Sequence, residues 1–274
     1  MTQQRFEIYR PIHKAVRHIL FSTSSDLGSF DLGDDDSTTQ ALEGLAKTIA
    51  LLQEHATHEN TFVHPALEDK APGVVAPFAG NHDDDENVFT ELGRLAGEIR
   101  SAGGDQRVPL RNELYARYNR FLAEYLAHLD REEQVLEKAL WDHFTDEELA
   151  AIDAAIEHSI SPGAMEGYLN AMCVSFSPDE LAKILGGMKA FAPPEVTEWA
   201  LGLAKQATPP RSGPRCQRRS LRSARSGPGD KLQLFPEGDR TQAGSRMRSL
   251  GNASTASPTL ETSACRRAWI SSRL

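Results

Sequence analysis

On segments with an apolar helical stripe the pattern HxxxE occurs as His55 with Glu59, His82 with Glu86, and His128 with Glu132. A fourth segment carries His13 alone. Residues four apart on a helix share a face one turn apart, so each pair offers an imidazole and a carboxylate to the same point. If the four segments form a helix bundle, four nitrogens and three carboxylates meet at one level of its core. Because a carboxylate can bridge two cations, seven such ligands suit two metal ions better than one. Mixed nitrogen and oxygen donors favour iron, with manganese as the alternative, over a thiolate-loving metal. Energetics points the same way. A buried glutamate without a partner costs on the order of several kcal/mol. Three of them would consume most of a typical stability of ~5–15 kcal/mol. No lysine or arginine sits on the apolar seams to neutralise them.

Each residue also has a plainer reading. A lone helical histidine such as His13 is often packed or solvated. The run from Asp83 to Glu86 reads equally as a solvated acidic face. Glu133 is the rival of Glu132, one position further along. His58 lies one turn from His55 and reads as a group supporting the ligands. His18, five residues from His13, points elsewhere. His64, His143 and His158 read as structural or solvated. No histidine has a glutamate three residues before it, which disfavours a ferritin-type site. HExxH is absent, which disfavours a zinc protease.

The elements that must position these groups follow from apolar periodicity. A first helix starts near Arg10 with Pro11 at its first position, where a missing N–H is harmless. Ile12, Val16, Ile19 and Leu20 form its stripe, and the polar stretch SSDLGSFDLGDDDS reads as a loop. A second helix runs from about Thr38 to Val63 on Leu42, Leu45, Ile49 and Leu52, and Pro65 ends or kinks it. A third begins near Asn81, and its stripe continues through Phe89, Leu92, Ala96 and Ile99. The fourth is the most regular. Leu114, Tyr118, Phe121, Tyr125, His128, Glu132, Val135 and Ala139 alternate steps of four and three, with Tyr118 and Tyr125 next to the ligands in the seam. Beyond it, Thr145 with Glu148 and Ser177 with Glu180 have the spacing of capping boxes that open further short helices.

The expectation is an all-α chain: a four-helix bundle over 1–143, a helical extension over 144–207 and a disordered tail over 208–274. The charge supports this division. Residues 208–274 hold 13 Lys+Arg against 4 Asp+Glu, which leaves 17 against 35 and a net −18 for residues 1–207. So acidic a body repels nucleic acid and anionic membrane surfaces. The tail, rich in Arg, Ser, Pro and Gly, has no apolar period. It reads as a basic interaction arm or, more simply, as an extension without a selected function. Its sequon at Asn252 carries no meaning in a cytoplasmic chain. No apolar run approaches a membrane span, no signal core opens the sequence, and the three cysteines, Cys173, Cys216 and Cys265, lack metal-ligand spacing. The expected compartment is therefore the reducing cytoplasm.

The order H, HxxxE, H, HxxxE over residues 10–143 resembles the hemerythrin-like, or HHE cation-binding, family. The resemblance implies an up-down-up-down four-helix bundle around a non-heme di-iron centre. It makes His13 the lone ligand of the first helix, His55 and Glu59 the pair of the second, His82 the first histidine of the third, and His128 with Glu132 the pair of the fourth. Residues 144–207 resemble the helical extension of some bacterial members. Oxygen-carrying members have a second histidine where this chain has Glu86, and an aspartate five residues after the last histidine, where Glu133 stands. More carboxylate and less imidazole favours redox chemistry with oxygen, peroxide or nitric oxide, or iron sensing, over reversible oxygen carriage. The expected function is a di-iron protein that binds or senses such a small molecule and relays its state to a protein partner through 144–207. The alternative is a peroxide-decomposing enzyme.

Overall fold

The computed structural model describes residues 5–78, 81–191 and 194–207, and these are helical with no strand among them. Four long rods form the bundle: α1 (Tyr9–Ser29), α2 (Asp35–His58), α4 (Asn81–Ser101) and α5 (Arg107–Arg131). α1 packs on α2 and α5, and α4 packs on the same two, which closes a ring. Paired contacts give the directions. His13 lies near Glu59 and Thr23 bonds Thr48, so α1 and α2 are antiparallel. His13 reaches Glu133 while Ser24 reaches Asn119, so α1 and α5 are antiparallel too. Phe89 stacks on Phe121 and Glu91 pairs with Arg117, which sets α4 antiparallel to α5. The chain therefore runs up, down, up, down.

Two rods are longer than their periodicity suggests. α2 passes through a π-helical turn, Glu59–Val63, into α3 (His64–Lys70). α5 passes through a second π turn, Glu132–Leu136, into α6 (Glu137–His143). In each turn the backbone bond spans five residues: His64 N–H to the Glu59 carbonyl, and Glu137 N–H to the Glu132 carbonyl. Pro65 therefore does not end the rod. It sits in the first turn of the resumed α-helix, where its missing N–H leaves no gap in the ladder.

The stretch SSDLGS, expected as a loop, is the last part of α1. Leu20, Thr23 and Leu27 keep facing inward at helical spacing, and burial of that stripe outweighs the weak helix propensity of Ser and Gly. α2 starts on Asp34, whose side chain accepts the Asp36 N–H at 3.0 Å.

The extension consists of α7 (Asp146–Ser159), α8 (Pro162–Ser175), α9 (Pro178–Phe191) and α10 (Pro194–Ala207). Both expected capping boxes form, on Thr145 with Glu148 and on Ser177 with Glu180. The extension shares the bundle's core: Ile160, Tyr168, Met172, Ile184 and Met188 belong to the same apolar cluster as Leu20, Leu45 and Leu95. α8 lies along α1. The Tyr168 hydroxyl donates to the Leu51 carbonyl, and Glu54 accepts from the Ser161 backbone and hydroxyl. The tail, 208–274, lies outside the described residues. No helix among the described residues is long and apolar enough to cross a membrane.

The apolar interior is divided in two. One cluster fills the bundle from Leu27 and Leu42 to Leu52, Tyr125 and Leu129. A second gathers Phe6, Tyr9, Val63, Leu67, Phe78, Leu136, Leu140 and Leu149 at the other end. Between Leu52 and Val63 on one rod, and between Leu129 and Leu136 on the other, lies a layer of polar side chains.

Candidate metal centre

That layer holds His13, His55, Glu59, His128 and Glu132, all buried, with His13 and Glu132 at 0% exposure. Within each rod the i,i+4 pair closes as its spacing requires: His55 Nε2 lies 3.2 Å from Glu59 Oε1 and His128 Nε2 lies 3.0 Å from Glu132 Oε1. α1 supplies the link between the rods. His13 Nε2 is 3.9 Å from Glu59 and 3.6 Å from Glu132. Its other nitrogen, Nδ1, meets Glu133 at 3.0 Å, and Arg17 holds the same Glu133 oxygen at 2.6 Å. Glu133 therefore orients the His13 ring and leaves Nε2 for the centre, as carboxylates commonly do behind a metal-bound histidine. Direction separates Glu132 from Glu133: Glu132 is buried between His13 and His128, while Glu133 stands behind His13.

Burial and neighbouring charges shift groups of this layer from their ordinary values. Burial pushes the Glu132 carboxyl up, and the neighbouring Glu59 adds to it. Burial alone would lower His13, but hydrogen bonds with Glu133 and Glu59 and the nearby Glu132 charge outweigh it and hold its pKa at about 9. Glu133 is held low: burial opposes this, but His13 and Arg17 win. Two buried carboxylates facing imidazoles form the kind of donor set that a divalent cation satisfies and water does not.

Ligand atoms converge in two groups. His13, His55 and Glu59 form one; Glu59, His64 and Glu132 form the other, with donor atoms within 4.8 Å of one another in each. Glu59 belongs to both. His64, read from the sequence as structural or solvated, stands here among donor atoms that could hold an ion. It follows Glu59 by five residues, which on an α-helix is about 1.4 turns and the wrong face. The π turn closes that step into a single turn and swings His64 inward. Helix-interrupting π turns recur at functional sites.

The same shift acts on the other rod. Glu137, five residues after Glu132, is 1% exposed and its oxygens accept the Ile8 and Tyr9 N–H groups at 3.1 and 2.7 Å. α1 has no capping side chain of its own, so Glu137 caps it from across the bundle. Neither Glu137 nor its role follows from α-helical spacing.

The remaining expected groups are distributed as follows. The His82 side chain lies outside the described residues. Glu86 does not join the centre: it is exposed, and both its oxygens take the Gln53 amide at 3.0 and 2.8 Å. The acidic run at the start of α4 leaves it on the solvent side of the rod. His58 is buried, 3.8 Å from Glu54, and burial lowers its pKa. His18 is half-buried away from the centre, while His143 and His158 are exposed. Tyr125 stacks 5.6 Å from the His128 ring, whereas Tyr118 donates to the Leu20 carbonyl and belongs to the apolar bundle.

Comparison with known proteins agrees with this geometry. The model of the hemerythrin HHE cation binding domain matches residues 5–140. No curated protein and no solved structure matches the chain.

Proposed function

Residues 5–140 belong to the hemerythrin HHE cation-binding family, and from that premise we propose that the centre holds two iron ions and binds or senses a small molecule such as oxygen, nitric oxide or peroxide. The observation that carries this reading is the membership of Glu59 in two donor groups, as a bridging carboxylate requires. His13 and His55 would serve one ion, and Glu132 and His64 the other, with His128 beside Glu132. His82 is proposed as the contribution of α4. The thiolate-free mixture of imidazole and carboxylate suits iron, with manganese as the competing ion. When bound, the ions supply Lewis acidity and electron transfer. The chain's own part is to fix the imidazoles through Glu133 and the helix pairs, and to keep bulk water out between two apolar clusters.

The sensing reading gains support from the extension. Asp153, Ile156 and Ile160 of α7 and its cap, and Tyr168 of α8, line the same cavity as His55 and Glu59. A change at the ions would therefore press directly on helices that a protein partner in the cytoplasm could read. The alternative is a peroxide-decomposing enzyme at the same centre. Metal quantification, with optical spectra of anaerobic and aerated protein, tests the shared premise. Two irons per chain and an absorption that changes on aeration are expected; a chain that stays metal-free after iron supplementation refutes it. Peroxide turnover abolished by His128→Ala would select the enzyme, and stoichiometric binding without turnover would select the sensor.

A further inference from the structure

Between the start of α1 and the extension lies a cavity of about 40 Å³. Its wall is mostly apolar, with Ile8, Ile12, Val63, Ile156 and Ile160, and His55 and Glu59 of the metal centre are exposed to it. Tyr9 also lines it. The Tyr9 ring is 1% exposed and stacks 5.3 Å from His13, and its buried hydroxyl has no hydrogen-bond partner among the described residues. A buried phenol normally finds an acceptor, and leaving one unmet costs stability. A phenol, with an ordinary pKa of about 10, is protonated at neutral pH and is therefore a donor.

We propose that this cavity is the seat of the exogenous ligand and that the Tyr9 hydroxyl donates the hydrogen bond that holds it. The proposal rests on the di-iron reading for the ligand's identity but not for the cavity's existence. The volume sets the chemical class. Room for roughly a few water-sized molecules admits a diatomic or a peroxide and excludes organic hydroperoxides and larger anions. The apolar wall favours a neutral species. The unmet donor favours one with an acceptor atom. Ile156 and Ile160, from α7 and its cap, line the cavity, so the extension is part of the binding site.

Two measurements on the full chain test this. Xenon, a neutral probe of matching size, should occupy the cavity in the metal-free protein, and Ile156→Trp should abolish that occupancy. In the iron-loaded protein, Tyr9→Phe should keep the wild-type iron content and release nitric oxide about tenfold faster, the loss expected for one hydrogen bond. Ile156→Trp should slow nitric oxide association by a similar factor. Xenon absent from the cavity overturns the proposal whatever the iron content. Nitric oxide kinetics within twofold of wild type in both variants, at unchanged iron content, overturns it as well. A wild-type chain that binds no iron overturns the metal reading instead, and the xenon result then judges the cavity alone.

Discussion

The two rods that flank the centre share one plan. Each carries a histidine, a glutamate four residues on at the head of a π turn, and an ionisable residue five beyond that: His55, Glu59 and His64 on one, His128, Glu132 and Glu137 on the other. In both, the π turn rotates the last residue from the flank to the interior. What that residue then does differs. His64 joins the donor atoms around Glu59 and Glu132, while Glu137 takes the two free N–H groups at the start of α1. One rod thus spends its extra inward residue on binding, the other on placing the helix that carries His13. The α5–α6 rod also supplies Glu133, which turns the His13 ring. The first rod offers donor atoms alone; the second offers donor atoms and also holds α1 in place.

The largest expected effect separates the shared ligand from the single ones. Glu59→Ala removes a member of both donor groups, so iron per chain should fall from two to below one. His64→Ala touches one group only, so one ion should remain and affinity for the other should fall by at least the roughly 10–100-fold typical of lesser, supporting changes. Metal titration followed by elemental analysis reads both. Equal losses in the two variants would end the distinction between a bridging and a terminal group.

Next in size is the clamp. Glu137→Ala leaves two buried N–H groups at the α1 terminus without an acceptor, at a cost of about 2–4 kcal/mol in chemical denaturation. Glu137→Gln retains one acceptor oxygen and should lose less than half of that. If Glu137→Ala were neutral in stability yet lost iron, Glu137 would be a ligand and the two rods would be equivalent.

A smaller effect follows from the same carboxyl. Burial raises Glu137 to about 7, against which the Tyr9 and Ile8 N–H groups pull down. The folded chain then binds this proton more tightly than the unfolded chain does. Stability from this group is complete below the unfolded value of 4.5 and is lost as pH rises towards 7, at no more than about 1.4 kcal/mol per pH unit. Metal-free wild type should therefore lose stability relative to metal-free Glu137→Gln across that window. A constant difference from pH 4.5 to 7 would show that the carboxyl titrates normally.

Legibility follows the same division. The inward face of His55, Glu59, His128 and Glu132 was legible because four-residue spacing is read correctly on an ordinary helix and the apolar seam shows which face is inside; His13, without such a partner, was legible only from its place beside the apolar stripe of α1. The capping boxes at Thr145 and Ser177 are local and needed no tertiary knowledge. His64 and Glu137 were hidden because a five-residue step points outward until a π turn is inserted, and nothing in a single segment announces that turn. The signal was in the parallel: both HxxxE pairs are followed five residues later by an ionisable group set between apolar residues, Val63 and Leu67 in one rod and Leu136 and Leu140 in the other. The helical end of α1 was hidden for another reason, since its Thr23 and Leu27 are held by partners, Thr48 among them, that are distant in sequence.

The smallest expected effect concerns the third HxxxE. Glu86 has the right spacing but stands in solvent, held by a glutamine amide. Exposed hydrogen bonds of this kind contribute little, because water replaces them. Glu86→Ala should therefore leave iron content at wild type and shift stability by no more than about 0.5 kcal/mol. The comparison with Glu59→Ala is the test of what makes an HxxxE pair a ligand pair. If loss of Glu86 lowered iron content as loss of Glu59 does, α4 would turn its acidic face inward on metal binding, and the centre would draw carboxylates from three rods instead of two.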